Sequence, residues 1–144
     1  MIGLVEGPID VAALIAAVAD PEHGATTVFL GSTRREGGRR AVEALVYEAY
    51  GELALTELQV IADESARRHD ARIALVHRVG RVPAGEPSIA VVAAAGHRPE
   101  AFAACRHALE AVKDRLPVWK QTVYEDGGAE WLDGLGVPLR DAAG

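Results

Sequence analysis

The chain has 144 residues, 49% hydrophobic and 25% charged, which is enough apolar material for one domain with its own core. A net charge of −6 argues against general nucleic-acid binding; the local exception is the cluster Arg34, Arg35, Arg39 and Arg40. Cys105 is the single cysteine, so an internal disulfide is excluded, and no apolar run nears the ~18 residues of a membrane span. With no signal peptide evident, a cytoplasmic protein is expected.

Asp10 is placed to cap a first helix over residues 11–19, and Asp20-Pro21 stops it. Residues 25–30 are apolar and β-branched and read as a strand. Residues 31–40 form a polar loop holding the four arginines, either a solvated surface loop or a cationic flap that meets a partner. Residues 42–50 are strand-like, and Leu55, Leu58, Ile61, Ala62 and Ala66 keep helical spacing within 52–69. Residues 72–79 read as a strand whose alternating sets are both largely apolar, so both faces can be covered. A turn-rich connector over 80–87 leads to a buried strand, 88–95.

Pro99 suits the first turn of a following helix, which places His97 and Arg98 at its N-terminus, where free N–H groups favour an anion. Phe102, Cys105, Leu109, Val112 and Leu116 make one apolar stripe along that helix, with Lys113 at its edge. Pro117 ends it. Residues 118–124 read as a strand, Asp126-Gly127-Gly128 as a hairpin turn, and 129–132 as the returning strand. Residues 133–144 read as a loosely held tail of a single domain spanning 1–144. The central order of strand, helix, strand, strand, helix, strand is a split βαβ pattern, predicting an α+β sandwich with helices on one face of a mostly antiparallel sheet.

His97, Arg98, Lys113 and Lys120 together can surround one multiply anionic ligand. Taken singly, each has a plainer reading: a capping histidine, a lysine lying along apolar surface, a solvated charge. Cys105 on an apolar stripe reads as a buried structural thiol rather than a nucleophile. Five histidines and one cysteine show no metal-ligand spacing, and neither metal nor cofactor is expected.

Several stretches together resemble the large, catalytic subunit of molybdopterin synthase: GATTVFLGSTR, LVYEAY, HRVGRVPAGE, AGHRPEAFAACRHALEAVK, LPVWK and DGGAEW, in that order. The resemblance implies a hammerhead-like α+β core. It implies conversion of cyclic pyranopterin monophosphate to molybdopterin, two sulfurs being inserted as a dithiolene. The donor would be a small ubiquitin-like subunit with a C-terminal Gly-Gly thiocarboxylate, and two large subunits would form a homodimer within a heterotetramer. By motif position, Arg34, His97 and Arg98 correspond to substrate-binding residues, and Lys113 and Lys120 to two essential lysines that also contact substrate. Gln121 and Thr122 complete the substrate-binding set, although such chains usually carry a basic residue and then Glu there. Lys120 is then the first choice for the reacting centre, with Lys113 positioning the substrate or the incoming tail. Two other readings use the same residues: a phosphate- or nucleotide-sensing regulatory domain, and an interaction scaffold using the arginine loop.

Overall fold

The computed structural model describes residues 1–132, so the expected tail at 133–144 lies outside the described residues. Eleven elements follow one another: β1 (Ile2–Glu6), α1 (Val11–Val18), β2 (Ala25–Ser32), β3 (Glu36–Gly37), β4 (Arg40–Ala49), α2 (Gly51–His69), β5 (Ala71–Pro83), β6 (Pro87–Ala95), α3 (Arg98–Arg115), β7 (Val118–Tyr124) and β8 (Ala129–Leu132). The sheet runs β2-β6-β5-β4-β7-β8, with β1 added on β5 and β3 on β4. Among the described residues every pairing is antiparallel except β1 with β5. The chain is therefore α+β, with the predicted order of elements from β4 to β7.

Local chemistry sets most boundaries. Asp10 caps α1, its carboxylate accepting from the Ala13 N–H at 3.0 Å. The β7–β8 turn closes where Tyr124 N–H donates to Gly128 O at 2.8 Å and Gly127 takes a positive φ of 92°. Strand β5 outruns its expected end at Val79. Gly80, at φ 81°, bends the chain without ending it. Ala71 to His77 pair with β6, and Gly80 to Pro83 cross to pair with β4. The sequence reading also missed β1, a five-residue strand that forms only against β5.

The expectation of helices on one face needs correction. Leu75, Ile89, Val91 and Ala93 face α2 and α3, while Ala74, Val76, Ala90, Val92 and Ala94 face Leu14 and Val18 of α1. Because alternate residues of β5 and β6 are apolar, both faces must be covered, and α1 covers the second.

The predicted stripe on α3 holds at Cys105, Val112 and Leu116, with Leu109 packed partly buried beside them, and fails at Phe102. Phe102 is 63% exposed, and the buried face is Ala101, Ala104, Cys105, Ala108 and Val112. Small side chains let the helix backbone approach its neighbours. Ser65 Oγ of α2 donates to Ala104 O at 2.7 Å, and Thr27 Oγ1 of β2 donates to Ala101 O at 3.0 Å. A phenyl ring on that face would prevent both contacts. Cys105 is a buried free thiol, its Sγ 3.7 Å from Val91 O, and burial pushes its pKa up, consistent with packing. Among the described residues no helix is long and apolar enough to cross a membrane.

Candidate functional site

The last turn of α3 and the start of β7 face each other because Pro117 forces a sharp exit. Leu116 leaves the helix at ψ 124°, and Val118 N–H donates to Leu116 O at 2.8 Å. The turn brings Lys113 and Lys120 to the wall of one cleft. Its inner end is a small cavity of about 40 Å³ lined by Tyr47, His77, Val112, Leu116, Val118, Trp119 and the two lysines. Its outer part, about 490 Å³, adds among others Arg34, Glu36, Ser88, Thr122, Tyr124 and Glu130. Both lysines line inner and outer parts alike, on an otherwise apolar and aromatic inner wall.

Lys113 is exposed, yet the cleft it lines surrounds it with enough protein to desolvate it in part. Its pKa is lowered, first by that burial and then by the positive charge of Lys120. Tyr47, buried, has its phenol pKa raised by desolvation, and its hydroxyl donates to Ser88 Oγ at 3.3 Å.

Arg34 reaches the cleft from the segment after β2. That segment is held from beneath: Thr33 N–H donates to Glu86 O at 3.0 Å, and Gly85 N–H to Thr33 O at 2.8 Å. Glu86 in turn pairs with the buried guanidinium of Arg78 at 2.5 Å. Two more arginines of the loop are tied to the β7–β8 hairpin. Arg35 pairs with Glu125 at 3.0 Å, and Arg40 pairs with Asp126 at 2.6 Å while lying 3.8 Å over the Tyr124 ring.

Of the residues named from sequence, Arg34, Lys113, Lys120 and Thr122 line this cleft. Gln121 does not: strand alternation turns it away from the face that carries Lys120 and Thr122. His97 and Arg98 line a separate pocket with Gly24, Ala25, Gly96 and Pro99. The reason is the length of α3. Arg98 opens the helix and Lys113 lies in its last turn, fifteen residues on, or about 22 Å along the axis. A single copy of the chain therefore does not gather Arg34, His97, Arg98, Lys113 and Lys120 around one small anion.

Tyr47, His77 and Glu130 are among the members of the cleft that sequence reasoning missed. Tyr47 and His77 looked like ordinary strand residues; the signal for His77 was a titratable group amid an apolar strand. Glu130 pairs in register with Thr122, so β8 brings a carboxylate to the cleft beside a position where β7 has none.

A family model for the MoaE protein matches residues 4–115. This chain belongs to the MoaE family. Among its relatives, a molybdopterin synthase catalytic subunit from Oryza sativa subsp. indica is 46% identical over 123 residues, covering 84% of this chain and 63% of the relative. The chain thus spans only 63% of that relative's length. One from Pyrococcus abyssi is 42% identical over 136 residues, covering 92% and 91%. The crystal structure of molybdopterin synthase from Staphylococcus aureus matches with a TM-score of 0.86 at 29% identity, covering 90% of this chain and 95% of that one. Membership in the MoaE family agrees with the resemblance that the sequence carries and with the fold.

Proposed function

We propose that this chain is the catalytic subunit of a molybdopterin synthase, acting as a single catalytic domain and sulfurtransferase. It converts cyclic pyranopterin monophosphate to the dithiolene product, with sulfur from the C-terminal thiocarboxylate of a small partner subunit. The observation that carries the reading is the convergence of Arg34, Lys113 and Lys120 on one cleft with an apolar inner end. Thiocarboxylate attack builds negative charge on oxygen, and the leaving phosphate oxygen gains charge too. Two ammonium groups on a partly dry wall stabilise both. Lys113, its pKa lowered, is suited to exchange a proton during those steps. Arg34 offers a planar fork to phosphate.

His97 and Arg98 fit the same reading through the homodimer. Since they stand about a helix length from Lys113 in one protomer, they can reach a ligand in the lysine cleft only from a second copy. A phosphate-sensing regulatory role would need only the His97–Arg98 pocket and leaves the lysine cleft without a task. Reconstitution tests the proposal. Purified chain mixed with the thiocarboxylated small subunit and the cyclic precursor should yield dithiolene product. Removing the partner's terminal Gly-Gly should abolish it, and unchanged product with that truncated partner would refute tail insertion.

A further inference from the structure

His77 is a histidine in the wrong company for a surface base. It is 3% exposed on β5, next in register to Leu4 of β1 and Ile89 of β6. Its Nδ1 lies 2.8 Å from Arg78 O. A carbonyl only accepts, so the proton resides on Nδ1 and the lone pair on Nε2. Tyr47 of β4 meets the ring edge-on, with centroids 4.9 Å apart at 73°, and fixes its plane. The ring lines the inner cavity together with Lys113 of α3 and Lys120 of β7, and no carboxylate lines that cavity.

We propose that His77 is a positioning residue for Lys113, its Nε2 being the neutral acceptor open to the lysine nitrogen over the inner cavity that both line. The donor and acceptor inventory of the wall supports this. Both lysines and the Trp119 indole only donate in their usual states, and the Tyr47 hydroxyl spends its proton on Ser88, which leaves the His77 Nε2 as the one nitrogen of that wall with a lone pair to offer. Without a directed partner, a helix-edge lysine extends its charge into water. A carboxylate at this position would hold the lysine too, but would also stabilise its proton. A neutral imidazole fixes the nitrogen while burial and Lys120 still disfavour its charge. Burial keeps the imidazole itself neutral, its pKa lowered to about 4.

The proposal rests on the synthase reading for its kinetic test but not for its spectroscopic one. In the full chain carrying 15N-labelled histidine, two-bond proton–nitrogen spectra should show His77 as the Nδ1–H tautomer, and Lys113→Met should move its Nε2 resonance. An Nε2–H tautomer, or an Nε2 resonance indifferent to Lys113→Met, overturns the proposal. For the reaction, His77→Gln sets an amide near the Nε2 position, whereas His77→Asn keeps only a donor near Nδ1 for Arg78. Single-turnover rates should fall within a few-fold for His77→Gln and by about ten-fold or more for His77→Asn, with little change in precursor requirement. A purely structural role, holding the Arg78 carbonyl, predicts the reverse order. Absence of product from the wild-type pair would refute the synthase reading alone, and the Lys113→Met comparison would still decide this contact.

Discussion

Acid should weaken the fold through His77, and the size of the effect follows from its burial. The imidazole titrates near 6.5 in the unfolded chain and at about 4 in the folded one. The unfolded state therefore binds more protons between those values, and stability rises with pH across that window. The contribution is complete above about pH 6.5 and is lost as pH falls toward 4. At about pH 5 the loss amounts to ~2 kcal/mol, a large fraction of a typical domain's stability. Other groups add to the acid limb. His69, lowered by desolvation, by His107 and by Arg68, acts in the same direction. The carboxylates of Asp20, Glu64 and Asp126 are held below their ordinary values by hydrogen bonds, from the Glu22 N–H, Arg115 and Arg40 respectively, and lose their contribution only at lower pH. The clean measurement is a difference. Urea unfolding of wild type and His77→Gln at about pH 7.5 and pH 5 should show the wild type losing ~2 kcal/mol more. Equal losses in both proteins would refute the account of a buried, neutral His77.

Three further outcomes follow from the geometry. Arg78→Met leaves Glu86 without its buried partner and loosens the Thr33 backbone beside Arg34, so it should cost about 1–3 kcal/mol in urea unfolding and raise the apparent precursor requirement. Arg98→Lys keeps a point charge for phosphate and should retain part of the activity, the loss falling on substrate requirement in steady-state kinetics. Cys105→Ala should cost on the order of 1 kcal/mol while leaving single-turnover rates within a few-fold; loss of turnover in a folded variant would place Cys105 on the sulfur route.

Much of the fold was legible because local signals and tertiary structure agree. The Asp10 cap, the Pro117 stop, the glycine turn at 126–128 and the alternation along β5 and β6 each have a local cause. The failures have tertiary causes. Strand β1 owes its existence to an open position beside β5. Phe102 lost its predicted place to alanines because Ser65 and Thr27 bring neighbouring elements against the α3 backbone, a constraint invisible in the helix's own period. The site divided in the same way. Lys113 and Lys120 flank a local turn, so seven residues of sequence sufficed to pair them. Joining His97 and Arg98 to them ignored the length of α3, which carries the two ends about 22 Å apart. His77, Tyr47 and Glu130 enter the cleft only through sheet register.

The central claim is that the lysine cleft performs chemistry rather than merely attracting an anion, and Lys120→Arg tests it most directly. Arginine keeps the positive charge but has a wider, planar head and is effectively never deprotonated. Single-turnover dithiolene formation with the thiocarboxylated partner should be lost in Lys120→Arg nearly as fully as in Lys120→Ala, while binding of the unreacted precursor weakens far less. Turnover of Lys120→Arg at the wild-type rate would contradict the account and reduce Lys120 to an electrostatic contact.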